Sequence, residues 1–318
     1  MTNDSFDVVV IGGGAAGLNG ALMAARSRRS VLVIDAGAPR NAPAAAVHGL
    51  FARDGVSPAE LVERGRAEVR GYGGEVVTGE VTRVTGTLDD FTVELADGRA
   101  PRARRLLVTT GLVDELPDIP GLRERWGRDV VHCPYCHGWE HRDEAIGILA
   151  AGPMAMHAAL LWRQLGPDVV IFTGTGDAPD DSERLAALGI RVIPGAVAAA
   201  EIAGDRLTGV RLRDGTVVAR DALAVPSHMV ARADFLSDLG LHLVPHPSGM
   251  GEHIPVDPTG RTEVPGVWAA GNVTDLTAQV GGAAAAGAWA GAQINADLVT
   301  ADADRAVAEY RARAAAPA

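Results

Sequence analysis

Short apolar runs alternate with glycine turns and helical stretches along most of this chain. Asp7 to Ile11 is the first run, followed by Gly12-Gly13-Gly14-Ala15-Ala16-Gly17 and a helical pattern through Ala25. A second run, Ser30 to Ile34, ends in Asp35. The order predicts strand, glycine turn, helix, strand and acid. In such a unit Gly12 makes the tight turn, Gly14 lets the backbone approach a pyrophosphate, and Gly17 allows the helix to pack on the strand. Asp35 then accepts hydrogen bonds from a ribose. Arg105 to Gly111 predicts another strand ending in a small-residue turn. Thr262 to Asn272 predicts a strand running into a glycine turn, with an alanine-rich helix beyond it. The alternation places the chain in the α/β class.

The middle of the chain repeats the frame with altered wording. Ala145 to Leu149 predicts a strand, Pro153 to Leu165 a helix, and Asp168 to Phe172 a second strand. The turn reads Ala150-Ala151-Gly152-Pro153-Met154-Ala155. Ala150 stands where the first glycine belongs, Pro153 removes an amide N–H from the helix start, and Met154 adds bulk. The second strand runs into Thr173-Gly174-Thr175-Gly176, which offers neither an acid for a ribose hydroxyl nor arginines for a 2′-phosphate. The expectation is a nucleotide-type domain whose nicotinamide site is degenerate.

Candidate redox chemistry sits between these two frames. The pentapeptide Cys133-Pro134-Tyr135-Cys136-His137 holds both cysteines of the chain. The spacing allows a small disulfide, and an adjacent imidazole lowers a thiol's pKa. The same residues fit half of a zinc site or a c-type haem attachment. Zinc would need His132, His137 or His141 crowded onto one segment. Haem attachment goes with export, and Met-Thr-Asn-Asp-Ser-Phe-Asp shows no signal-peptide pattern. Two buried structural thiols fit poorly with the polar and aromatic run from His132 to Glu140. The redox reading leads, and it needs an electron partner.

Composition narrows the partners. A length of 318 residues suggests two domains, and 47% hydrophobic content with 39 glycines fits a soluble α/β enzyme. The formal charge of −11 argues against nucleic acid and anionic membrane surfaces. All 29 basic residues are arginines, which reads as codon bias. Two cysteines without an export signal point to a reducing cytoplasm, where a disulfide is catalytic more often than structural. The Ala/Gly stretch from Gly281 to Gly291 is too short and too small in side chain for a membrane span.

Taken in order, the glycine turn at Gly12, the strand ending at Gly111, the Cys pair and the Gly271 turn resemble the flavoproteins with two dinucleotide-binding domains. Within them the chain resembles the low-molecular-weight thioredoxin reductases. The resemblance implies two Rossmann-like domains: an FAD domain from residues 1–114 and 245–318, and an inserted NADPH-domain-like unit from 115–244 carrying the Cys pair. It assigns to the FAD Gly12, Gly14, Ala16 and Gly17, then Asp35, Ala36, Arg40 and Asn41. It adds His48, Val81, Thr110 and Gly111, and near the end Gly271, Asn272, Gln279 and Val280. Asn272 stands where the family usually has Asp, so that hydrogen bond is altered, although Asn still accepts one. The small-residue segment Asn41 to Val56 resembles a loop that covers the flavin.

The run Cys133 to Glu140, with Asp35 to Asn41 and His48-Gly49, further resembles the dithiol oxidase branch of this superfamily. That branch includes the gliotoxin and holomycin dithiol oxidases, which close a disulfide in a small antibiotic and pass the electrons to oxygen. The implied cycle uses FAD, a small-molecule dithiol and molecular oxygen, in a cytoplasmic homodimer without a nucleic-acid or membrane partner. A substrate thiolate attacks Cys133, Cys136 is the flavin-proximal partner, and His137 is the base; His132 has no assigned role. Trp139 and Tyr135 line a small apolar pocket or pack in the core. Two other functions fit the same residues: a disulfide reductase for thioredoxin fed by NADPH or ferredoxin, and a flavin-bound redox sensor. The altered turn at Ala150 to Met154 disfavours the NADPH-fed reductase, and the sensor lacks any appended signalling segment. Ala301 to Ala318 reads as a polar terminal helix or a fraying tail.

Overall fold

A computed structural model of the chain describes residues 4–315, except 151, 175 and 178, with only the backbone of 152–154. The chain divides into two compact units: Met1–Arg40, Ala59–Val113 and Met229–Ala318 form one, and Asn41–Pro58 with Asp114–His228 form the other.

The described residues of the first unit build a seven-stranded sheet around Ser5–Ile11. This strand lies between Val31–Asp35 and Arg102–Val108, parallel to both, with Val10 opposite Val33 and Leu107. Val9 and Val10 are fully buried, which is why a central parallel strand reads as a continuous apolar run. Glu75–Thr78 extends the sheet beside Val31–Asp35. Val267–Ala269 adds a parallel strand beside Arg102–Val108, so the two ends of the chain meet in one sheet. The hairpin Val81–Thr87 and Asp90–Leu95 pairs antiparallel at the other edge.

One face of this sheet is covered by the helix Ala15–Arg26 and the helix Val280–Ala315. Small residues one turn apart let them approach closely. A Cβ on Gly287 would lie 1.9 Å from the Ala16 carbonyl oxygen, and one on Gly291 would lie 2.5 Å from that of Gly20. The Ala/Gly stretch is therefore a helix-contact surface, and among the described residues no helix is long and apolar enough to cross a membrane. Gly287→Val forces the helices apart. The expected cost is about 3 kcal/mol and a fall of roughly 5–10 °C in thermal midpoint, read by calorimetry. An unchanged midpoint would show that the contact tolerates side chains.

The polar stretch after Ala301 is not a separate helix. It continues the alanine-rich helix as one element, Val280–Ala315. Asp302 anchors it, accepting from Arg29 at 2.6 Å and from Arg104 at 2.7 Å, and the Arg29 bond is the largest influence pushing its carboxyl down to about 2. Buried Arg105 makes a similar tie to Asp297 at 2.6 Å and to Asp89 at 2.8 Å.

The second unit holds a parallel five-stranded sheet in its described residues, with Ile146–Leu149 between Val169–Phe172 and Ala222–Ala224. The helix Gly152–Arg163 connects the first two of these strands and buries Trp162. A three-stranded antiparallel sheet, Val197–Ala203, Arg206–Leu212 and Val217–Val218, packs its apolar face on Phe172 and Leu223.

Apart from Asp114, which falls one residue across the expected boundary into the second unit, the division differs from expectation in two places. Residues 229–244 group with the first unit, because Leu236 and Leu241 are buried in a core with Phe91 and Val84. Asn41–Pro58 groups with the second unit, where Val47 bridges Val56 and Pro43 lies against Gly127.

Candidate active site

The glycine turn of the first unit is shaped by three contacts. Gly12 has φ +104°, and a side chain there would strike the Thr109 carbonyl at 2.4 Å. The Thr109 hydroxyl donates to the carbonyls of Ile11 and Gly12, at 3.0 and 2.8 Å, and holds the turn against the neighbouring strand. At Gly17 a Cβ would lie 1.9 Å from the Gly12 carbonyl oxygen. Gly14 is different: a Cβ there would meet nothing within 4 Å. The turn is thus packed on its inner side and open at Gly14, which caps the helix Ala15–Arg26 without a side-chain partner. Its first-turn N–H groups, with no acidic residue among them, suit the negative charge of a pyrophosphate.

Asp35 carries a partner that sequence reasoning missed. Arg66, from the helix Pro58–Gly71, donates Nη2 to Asp35 Oδ2 at 2.6 Å. The Arg66 Nε is buried and has no partner among the described residues, so a donor remains for an oxygen-rich ligand. Gly13 was missed as well; a Cβ there would lie 2.8 Å from that of Asp35.

Around the second glycine turn, Gly271 has φ +81° and a Cβ on it would lie 2.9 Å from Ala16. Asn272 gives its amide N–H₂ to the carbonyls of Asp275 at 3.0 Å, Leu276 at 3.4 Å and Ala278 at 2.9 Å. An Asp could not donate these bonds, and only the Asn272 carbonyl oxygen is left for a ligand. The segment it ties leads to Gln279, whose carbonyl accepts from Ala283 N as the helix starts at Val280. Arg40 Nη1 donates to the Leu276 carbonyl at 3.4 Å. Thr110 donates to the Arg232 carbonyl at 2.6 Å, and Gly111 accepts from Arg232 N. Ala36 is exposed just after Asp35, and Val81 opens the hairpin opposite Leu95. All these positions belong to the first unit. Asn41 and His48, expected at the same cofactor, belong to the second.

In the second unit the Cys segment follows the strand Val130–Val131. Cys133 is extended, with φ −103°, and caps the short helix Pro134–His137. Its carbonyl accepts from Cys136 N and His137 N, each at 3.2 Å. Residues three apart in a helical turn share a face, so the two half-buried cysteines lie on one side. Gly138 closes the turn; a Cβ there would lie 2.2 Å from the Pro134 carbonyl oxygen and 2.4 Å from Leu165.

His137 has both ring nitrogens buried with no partner among the described residues. Burial first, and then the nearby His141, push its pKa below the usual imidazole value, with His48 and His132 acting the same way and Glu140 opposing. The ring is held neutral at neutral pH, able to accept a proton. His48 lies between Asp54 at 3.4 Å and Glu140 at 3.3 Å, which ties its loop to the Cys segment. Tyr135 and Trp139 are 68% and 67% exposed, which overturns core packing as their explanation. The Arg142 guanidinium lies over the Trp139 ring at 4.5 Å.

A family model of the pyridine nucleotide-disulphide oxidoreductases matches residues 6–292. The chain belongs to that family. Among solved structures, HlmI is 47% identical, with a TM-score of 0.90 over 98% of both chains. An oxidoreductase from Agrobacterium tumefaciens is 38% identical, with a TM-score of 0.86 over 93% of this chain and 99% of the other. The thioredoxin reductase tcpT of Claviceps purpurea (strain 20.1) is 33% identical across 93% of this chain and 97% of its own length. Like these thioredoxin-reductase-like relatives, this pyridine nucleotide-disulphide oxidoreductase has the α/β, two-domain Rossmann-like architecture and takes FAD as cofactor. The open face at Gly14, the spare Arg66 donor and the Gly271 turn fit that group.

The family name raises the question of the pyridine nucleotide. Ala150 donates to the Phe172 carbonyl at 3.2 Å and continues the frame of the second turn. Ala151, Thr175 and the side chains of Gly152, Pro153 and Met154 lie outside the described residues. Beyond Val169–Phe172 come Asp177, Asp180, Asp181 and Glu183, and Arg184 pairs with Asp181 at 3.2 Å. Arg220 and Arg191 bind Asp168 at the opposite end of the strand, at 2.9 and 3.0 Å. The loop that follows this strand is acidic and exposed, a feature the sequence reading passed over because those acids lie beyond the turn.

Proposed function

We propose that this flavin disulphide oxidoreductase runs as a dithiol oxidase, closing an intramolecular disulfide in a small dithiol of antibiotic type and using oxygen as acceptor. The observation that carries the reading is the acidic run from Asp177 to Glu183, where an NADPH reductase needs positive charge. With NADPH disfavoured as donor, the reading takes the pair of electrons entering the Cys residues from the substrate.

His137 takes the proton of the first substrate thiol, and the thiolate attacks Cys133 in the Cys133–Cys136 disulfide. One sulfur–sulfur bond forms as the other breaks, leaving Cys136 as thiolate. The second substrate thiol, once deprotonated, attacks the mixed disulfide, releases Cys133 and leaves as the cyclic product. FAD, when bound, would supply the two-electron acceptor for the Cys pair and the centre at which oxygen is reduced to hydrogen peroxide. The balance is one dithiol and one oxygen consumed for one cyclic disulfide and one peroxide. Tyr135, between the two cysteines in the chain, and Trp139, three residues after Cys136, are both exposed and offer apolar surface for such a substrate.

The curated relatives favour a second reading, since tcpT of Claviceps purpurea and sirT of Leptosphaeria maculans are both called thioredoxin reductases. A peroxide assay separates the two. The oxidase yields one peroxide per dithiol consumed in air and needs no nicotinamide. Turnover of thioredoxin disulfide with NADPH, without peroxide, would establish the reductase.

A further inference from the structure

One histidine near the Cys pair has no part in the mechanism above. His141 follows His137 by four residues, and its backbone N–H donates to the Gly138 carbonyl at 3.2 Å, so it sits in the turn that closes the Cys helix. Its Nδ1 lies 2.8 Å from Glu144 Oε2, and its Nε2 lies 3.0 Å from the Arg128 carbonyl oxygen. Both partners accept hydrogen bonds only. A neutral imidazole has one N–H and can satisfy one of them, whereas the charged ring satisfies both. The side chain is 12% exposed, so its orientation is fixed by these bonds.

We propose that His141 is a positioning residue of this site, an imidazolium clamped between Glu144 and the Arg128 carbonyl whose charge acts on the proton held by His137. The inference rests on the dithiol oxidase reading for its purpose, and on the two hydrogen bonds for its geometry. His137 is faced by Glu140 and His141 from its own segment, by His132 just after the strand Val130–Val131, and by His48 from the loop between Val47 and Val56. His48 is itself balanced by Asp54 and Glu140, and Arg206 lies 4.0 Å from Glu144. After burial, His141 is the largest of the influences that keep the His137 ring neutral. The same positive charge favours the thiolate over the thiol at the neighbouring Cys residues.

The test follows the ring Cε1–H resonance of His137 by NMR against pH, in the FAD-loaded protein without substrate. The parent is compared with His141→Gln, which keeps a donor and removes the charge, and with Glu144→Gln, which removes the carboxylate that stabilises it. His141→Gln is expected to raise the His137 midpoint by about half a pH unit, and Glu144→Gln by less. The acid limb of anaerobic flavin bleaching by dithiothreitol should move the same way. An unmoved midpoint in both variants overturns the proposal, even if their bleaching is slower at every pH, because that pattern is a structural role. If His141→Gln does not fold, the Glu144→Gln midpoint decides. Absence of bleaching in the parent would count against the oxidase reading alone, since the NMR titration needs no turnover.

Discussion

Replacing Cys136 with Ser is expected to lower the rate of flavin reduction by a small dithiol at least about 10³-fold. The variant has no Cys133–Cys136 disulfide, so a substrate thiolate meets no sulfur–sulfur bond to break. No second protein sulfur is left to expel, and the electron pair has no route from Cys133 onward. Cys133→Ser should fail to the same extent, since the two act as a unit. The residues proposed to hold the cofactor are others, with Gly12, Gly14, Gly17 and Arg66 all in the first unit, so both variants should bind FAD as the parent does. Anaerobic stopped-flow absorbance makes the measurement. Flavin bleaching by dithiol that survived in either variant would remove the pair from the mechanism.

His137→Gln should lower the same rate about 10²-fold at pH 7 and change the shape of its pH dependence. In the parent, burial and His141 hold the His137 pKa below the ordinary imidazole value. The base is therefore already unprotonated at neutral pH, and the rate falls only as the pH drops below about 6.5. Without it, a substrate thiol must lose its proton to water, so the rate climbs with pH until the thiol's own pKa, near about 8.5, is passed. The gap between parent and variant is widest near pH 7 and narrows above that pKa. A uniform loss at every pH would instead assign His137 to packing around the Cys helix.

Much of this arrangement is legible in the chain because its signals are local. Gly12, Gly14 and Gly17 stand beside two apolar runs and an acid; Gly12 and Gly17 are each required by a close contact, while Gly14 faces open space. The Cys pair and His137 share one turn, so their proximity follows from spacing alone. What is hidden depends on contacts between distant segments. Arg66 reaches Asp35 only through the phase of the helix Pro58–Gly71, and nothing in an arginine 31 positions on announces it. His48 meets Glu140 across a loop that groups with the second unit, a contact that no local pattern in the chain announces. Residues 229–244 move to the first unit through the burial of Leu236 and Leu241, whose apolar character fits either core. Tyr135 and Trp139 read equally as core or surface, because an aromatic side chain carries no mark of its exposure. Asn272 shows the limit from another side. Its departure from Asp was visible, but the loop it ties at Asp275, Leu276 and Ala278 was not.

The direction of electron flow is the central claim, and an anaerobic titration of the FAD-loaded protein tests it most directly. NADPH is added first, then a small dithiol, while the flavin absorbance is followed, and air is admitted last. The expected result is no bleaching with NADPH, full bleaching with one equivalent of dithiol, and recovery in air with one equivalent of hydrogen peroxide. Rapid bleaching by NADPH would contradict it.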